Sequence, residues 1–314
     1  MSALDRLKII EKEASLAVGE LEAPPVEKPK EEPKKEPPVE EPKPSGPLKV
    51  GLVAGGWGPQ EIADLKAGGH SGVRLENPSS ITAYTGIGLS VLWLANHYST
   101  SGVKSLNRSE ILNRVRVADA TGAWVVEVLN EPGGDWFWGP VTEADSTAYG
   151  QLLLEAHAAV PNAKLLASWD GGHAGGGEWG QKVLKATPSL KGQPWLRWSV
   201  HCYAGSGANP AIATINPCAG LCGHLPTIDA AHAATASNVI VSELGFPTLT
   251  GTGDSPHCTE AQQKLGHEMC LRYCRERSYV EGYFAYGYRD GNGAKGYGLV
   301  RSDDSKKPAW SVVH

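Results

Sequence analysis

Glu131 and Glu243 each stand at the end of a run of β-branched and apolar residues. The first run reads Val125-Val126-Glu127-Val128-Leu129-Asn130-Glu131-Pro132, the second Val239-Ile240-Val241-Ser242-Glu243-Leu244-Gly245. Runs of this kind form buried parallel strands. In a closed barrel of alternating strands and helices, catalytic side chains gather at the C-terminal strand ends. Two carboxyl groups facing each other across a cleft are what cleavage of a glycosidic bond needs. One must begin protonated and the other ionised, and the charge on the second favours the proton on the first. The competing reading makes either glutamate a structural ion-pair partner.

The elements that would carry this pair can be read along the chain. Strand candidates are Val50–Ala54, Gly72–Glu76, Leu89–Asn96, Trp124–Asn130, Lys164–Trp169, Arg197–Tyr203, Val239–Glu243 and Val280–Tyr286. Helical patterns fall between them at Pro59–Ala67, Ser109–Ala120, Thr142–Ala159, Asp229–Ala236 and Thr259–Arg277. Strand alternating with helix implies parallel pairing through right-handed crossovers. Eight such units point to a (β/α)8 TIM barrel. An open doubly wound sheet would carry a G-x-G-x-x-G turn after its first strand, and Val53-Ala54-Gly55-Gly56-Trp57-Gly58 lacks that order.

Composition divides the chain unevenly. Residues 1–47 hold nine of the 22 prolines, no Phe, Trp or Tyr, and 8 Lys+Arg against 11 Asp+Glu. Such a segment cannot bury a core, so a disordered, proline-rich N-terminal tail is expected before a barrel over 48–314. Residues 24–47 read as an extended Pro/Glu/Lys linker. Within residues 1–23, Ala3, Leu7, Ile10, Ala14, Ala17 and Leu21 fall at alternating spacings of four and three. That is a short helical seam, either an anchor for a protein partner or self-association or a frayed tail. The net charge of -5 and the lack of a basic stripe exclude a nucleic-acid partner. No apolar run is long enough for a membrane span, and the first residues lack the apolar core of a secretory signal. The compartment stays unknown on these grounds. The tail and linker point to action outside the cell or on a surface or virion.

The motifs "VVEVLNEP" at 125–132, "VHCY" at 200–203 and "IVSELG" at 240–245 resemble strands four, six and seven of the clan A glycoside hydrolases. Those are (β/α)8 retaining enzymes that include the family 5 cellulases. The resemblance covers residues 48–314. It implies that Glu131 is the general acid/base and Glu243 the nucleophile. Asn130 is then a contact for the sugar 2-hydroxyl, and Tyr203 an aromatic donor to Glu243. His201, two residues before Tyr203 on the same strand face, becomes a supporting or substrate contact. Arg74 would hold Glu243 ionised, and His97 would touch substrate. Glu127, four residues deeper than Glu131, is a structural carboxylate that needs a buried partner, Arg74 or His97. The clan commonly ends its eighth strand in Trp. Here the chain reads Tyr283-Phe284-Ala285-Tyr286-Gly287-Tyr288, so Tyr286 or Tyr288 takes that place as a smaller platform.

Trp57, Trp136, Trp138 and Trp169 follow strand ends and could stack on pyranose rings, or else anchor core and loops. Several platforms together favour a polymeric substrate. The six cysteines leave three readings open. One is a small disulfide between Cys218 and Cys222, with Cys258 pairing Cys270 or Cys274. The second is a zinc set of Cys218, Cys222 and His224 with a distant ligand. The third is buried thiols. The proposed chemistry needs no cofactor and no metal. The sequence therefore reads as a retaining, endo-acting hydrolase of β-linked polysaccharide. The alternative is a catalytically weak carbohydrate-binding barrel tethered to a larger surface or virion assembly.

Overall fold

The computed structural model describes residues 46–54, 58–77, 80–97, 101–134, 138, 141–169, 178–203, 225–248, 258–291 and 296–314. The expected anchor and the linker up to residue 45, and with them Trp57, Trp136, Cys218, Cys222 and His224, lie outside the described residues.

Strands and helices alternate in the order β1 (Lys49–Val53), α1 (Pro59–Ala67), β2 (Gly72–Leu75), α2 (Ile81–Thr85), β3 (Ser90–Ala95), α3 (Arg108–Ala120), β4 (Val125–Val128), α4 (Glu143–Ala159), β5 (Leu165–Ser168), α5 (Glu178–Ala186), β6 (Leu196–His201), α6 (Pro226–Thr235), β7 (Val239–Leu244), α7 (Glu260–Arg275) and β8 (Val280–Tyr286). Neighbouring strands pair in parallel, and β8 returns to β1, closing an eight-stranded barrel. The expected (β/α)8 fold is therefore present. Two helices, α2 and α5, escape the sequence patterns. The first is only five residues long, and the second, of nine, follows a glycine-rich stretch. In the eighth position, the described residues have a 3-10 turn, Pro308–Ser311, which packs against α7.

Helix ends follow local chemistry. Thr142 and Asp145 form a reciprocal capping box at the start of α4, and Thr259 and Gln262 do the same for α7. Pro59 and Pro226 occupy first turns, where a missing N–H costs nothing.

The barrel interior is layered. Leu92, Val125, Leu166, Ile240 and Phe284, with Val53 and Trp124 against them, form an apolar cluster separate from the larger core between strands and helices. Gly72 and Gly282 make room for the Phe284 ring. A Cβ at either would come within 3.1 and 3.0 Å of it, respectively. Below this layer lies Arg197, paired with Glu281 of β8. Above it, toward the C-terminal strand ends, Arg74, Glu127, Ser199 and Ser242 are all buried and joined by hydrogen bonds.

Candidate active site

The polar top layer centres on Arg74. Its Nε donates to Glu127 Oε2 at 2.6 Å, Nη1 to Glu243 Oε1 at 2.6 Å and Nη2 to Asn130 Oδ1 at 2.9 Å. One guanidinium thereby ties β2 to two different strands. Burial works against its charge, but Glu127 and Glu243 more than offset this and hold it firmly ionised. Burial likewise opposes the charge on Glu127. Arg74, with help from His201, reverses that and brings the carboxyl down to about 2. Glu127 is thus an anionic strut between Arg74, Ser199 and Ser242. Of the two partners expected for it, Arg74 is the one it meets.

Glu243 accepts from Tyr203 OH at 2.9 Å as well as from Arg74. Burial of the Tyr203 hydroxyl, and then the Glu243 charge, push that phenol well above its usual 10. His201 Nδ1 lies 2.8 Å from Glu131 Oε1 and 3.7 Å from Glu243 Oε2, while Nε2 lies 3.0 Å from Ser242 Oγ. Burial disfavours a charged imidazole. Glu243, Glu127 and Glu131 outweigh this and raise His201 well above 6.5.

Two backbone irregularities put these groups on one side. Strand alternation would turn Ser242 and Glu243 to opposite faces. The β6–β7 register jumps from Val200↔Val241 to His201↔Glu243, so Ser242 is an extra residue. With that bulge, Ser242 reaches His201 while Glu243 reaches Arg74. At the end of β4, Leu129 (φ 65°) and Glu131 (φ 44°) both adopt the left-handed region without being glycine. Each such residue costs about 1–3 kcal/mol and persists only where its surroundings impose it. Here the Asn130 N–H donates to Asn96 Oδ1 at 3.2 Å, and Trp138 Nε1 donates to the Asn130 carbonyl at 3.0 Å. The outcome is that Asn130 faces Arg74 and Glu131 faces His201.

The nearest functional atoms of Glu131, His201 and Glu243 all lie within 4.8 Å of one another. Such a set has the donor types for a metal ion, and the Arg74 guanidinium, bonded to Glu243, sets a fixed positive charge beside it.

Of the other expected residues, Tyr286 is half-buried and packs edge-on against Tyr203 with centroids 5.7 Å apart. His97 is not brought to the carboxylates. It pairs with Glu110 of α3 at 3.2 Å, with more than a third of each side chain exposed. Two of the expected stacking platforms are corrected. Trp138 is fully buried, its indole N–H committed to Asn130. Trp169 is 1% exposed, edge-on to Trp198 and so close to Gly180 of α5 that a Cβ there would overlap its ring. Neither presents a face to a sugar. Tyr288 is also structural: it is buried, and its hydroxyl donates to Asp64 at 2.5 Å. Cys258 donates to the Pro247 carbonyl at 3.3 Å, as a thiol does. Cys274 is buried, and burial pushes its thiol up to about 12.

Sequence reading missed Ser199, Ser242, Asn96 and Tyr297. Ser199 shares strand parity with His201, a usable signal. Asn96 is a polar residue directly after β3, another. Ser242 had none, because only the bulge turns it inward.

The fold has many solved counterparts. A β-glucuronidase from an uncultured Clostridium sp. superposes with a TM-score of 0.59 at 13% identity, over 85% of this chain and 50% of that one. The chain thus spans half the length of that protein. A family 128 (subgroup I) endo-β-1,3-glucanase from Amycolatopsis mediterranei, in complex with laminaritriose and laminaribiose, gives 0.57 at 14% identity, over 85% of this chain and 99% of that one. A fungal β-1,4-galactanase gives 0.56 at 13%, over 85% and 93%. The likeness is one of fold. No protein-family profile matches the sequence, and no curated protein does either.

Proposed function

We propose that the chain is a retaining glycoside hydrolase acting within β-linked polysaccharide. The observation that carries this reading is the approach of Glu131 and Glu243. Their nearest oxygens lie within 4.8 Å, an approach closer than the about 6.5–9.5 Å carboxyl separation of inverting enzymes and nearer the about 5–5.5 Å of retaining ones. The shared fold with an endo-β-1,3-glucanase and a β-1,4-galactanase supports it.

Glu243 is the nucleophile. Arg74 and Tyr203 each bond one of its oxygens, which fixes its orientation toward the cleft. Glu131 is the acid that protonates the departing oxygen and then the base that activates water. Three carboxyls, Glu127, Glu131 and Glu243, share this layer with Arg74 and His201, and a neighbouring carboxylate favours the proton on Glu131. His201, at 2.8 Å, orients that carboxyl and stabilises it after the proton has gone. Asn130 has its Oδ1 engaged by Arg74, so its Nδ2 is the donor for a sugar 2-hydroxyl.

The test is product release from laminarin, β-1,4-glucan, galactan, mannan and xylan, with wild type against Glu243→Gln and product anomers followed by NMR. Release with retained configuration that disappears in the variant is expected. Binding without cleavage would move the reading to a carbohydrate-binding barrel, and inverted product would remove the nucleophile role.

A further inference from the structure

The proposed chemistry leaves one well-built side chain unused. Tyr297 comes from the chain that follows β8. Its ring meets those of Tyr203 and Tyr286 edge-on, with centroids 5.6 Å from each, and those two are 5.7 Å apart. The three half-buried phenols form a closed trio beside Glu243. Edge-to-face contacts of this kind fix ring planes.

The backbone around Tyr297 is held at three successive carbonyls. Gln263 of α7, fully buried, donates from Nε2 to the carbonyls of Phe246 at 3.0 Å, Tyr297 at 3.2 Å and Gly298 at 3.4 Å. Lys307, 2% exposed, donates to the Gly296 carbonyl at 3.3 Å, to Asp290 at 2.8 Å and to Thr248 Oγ1 at 2.8 Å. Thr248 adds its own N–H to the same Gly296 carbonyl at 3.0 Å. A buried lysine needs such partners, and surface loops are seldom held this tightly. Gly245, two residues beyond Glu243, completes the seat. A Cβ there would lie 2.6 Å from the Tyr297 ring and 3.2 Å from Tyr286 Cβ.

We propose that Tyr297 is a positioning residue for the nucleophile: with Tyr286 it clamps the Tyr203 ring, so that the Tyr203 hydroxyl stays on Glu243. The proposal deepens the glycosidase reading and rests on it for the kinetic part only.

Two measurements on the full chain test it, with wild type, Tyr297→Ala, Tyr297→Phe and Gly245→Ala. The first is tetranitromethane nitration followed by peptide mapping, which needs no substrate. Tyr203 should be nitrated about tenfold faster in Tyr297→Ala and in Gly245→Ala, as local restraint is lost. An unchanged Tyr203 rate in both overturns the clamp, whether or not the chain cuts a glycan. The second is steady-state kinetics on the glycan that wild type cuts. Tyr297→Ala should lose about 10–100-fold in kcat with KM little changed, and Tyr297→Phe, which keeps the ring, should recover most of it. A loss confined to KM, or one as deep in Phe as in Ala, overturns it. If wild type cuts nothing, the glycosidase reading fails and the nitration result still decides the clamp.

Discussion

At the N-terminal rim of the barrel, Arg197 meets Glu281 through two parallel bonds, Nε to Oε2 at 3.1 Å and Nη2 to Oε1 at 3.0 Å. Its remaining Nη1 bonds the Pro194 carbonyl, and Asn238 supplies a further donor to Glu281. At the C-terminal end, Arg74 instead divides its donors among Glu127, Glu243 and Asn130. Both arginines are buried, so burial does not distinguish them. The lower pair is one cation matched to one anion. The upper layer sets Arg74 and the titratable His201 among three carboxyls. A matched pair is satisfied and has nothing left to exchange. A layer with one carboxyl in excess can hold or release a proton, and general acid–base chemistry consists of that.

The sharpest way to break this comparison is to remove each arginine. Arg74→Met leaves Glu127 and Glu243 without their shared cation. It should cost about 3–5 kcal/mol in denaturant unfolding and reduce kcat by at least about 100-fold. Arg197→Met should cost up to about as much stability and leave kcat/KM within about twofold. A matching loss of activity in Arg197→Met would show that the two ends are not separate in function.

Acid and alkaline limbs sharpen it further. Glu127 is held at about 2, below the 4.5 of an unperturbed glutamate. Its contribution to stability is therefore complete above about pH 4.5 and lost as the pH falls toward 2, on the order of 3 kcal/mol in all. Glu127→Gln should flatten that acid limb in a melting-temperature series, and an unchanged slope would mean Glu127 is not the strut. His201 is raised, so its contribution is complete below about pH 6.5 and fades as the pH rises through its folded value. Wild type should lose melting temperature above pH 6.5 more steeply than His201→Gln, with parallel curves as the contrary result. The smallest effect belongs to His97→Ala. Its half-exposed pair with Glu110 predicts less than about 0.5 kcal/mol and an activity change within about twofold.

Much of the upper layer was legible because residue type and strand parity travel with the sequence. Apolar runs located all eight strands to within a few residues, and Glu131, Glu243, Arg74, His201 and Tyr203 converge as their strand ends implied. Parity failed where the backbone departs from it. The inward turn of Ser242 depends on a bulge, and the aim of Glu131 depends on two left-handed residues that carry no glycine to announce them. The tryptophans stayed divided between platform and anchor for a different reason. Trp138 and Trp169 stand beyond strand ends, where a solvent-facing platform and a buried anchor have the same local sequence. Only packing against Asn130 and against Gly180 of α5 separates the two. Tyr297 lay in a segment without periodicity, and its place depends on Gln263 and Lys307, distant in the chain.

The apolar layer around Phe284 has a consequence for traffic through the barrel. Leu92, Val125, Leu166, Ile240 and Phe284 are completely buried, and they separate Arg197 from Arg74. They act as an insulating floor. A proton or water molecule moving along the barrel axis toward Glu131 would have to cross this apolar layer, so exchange at Glu131 runs through the mouth. In the proposed glycosidase, a glycan seated in that mouth would then also govern how the Glu131 proton exchanges with bulk solvent, acting as reactant and stopper at once.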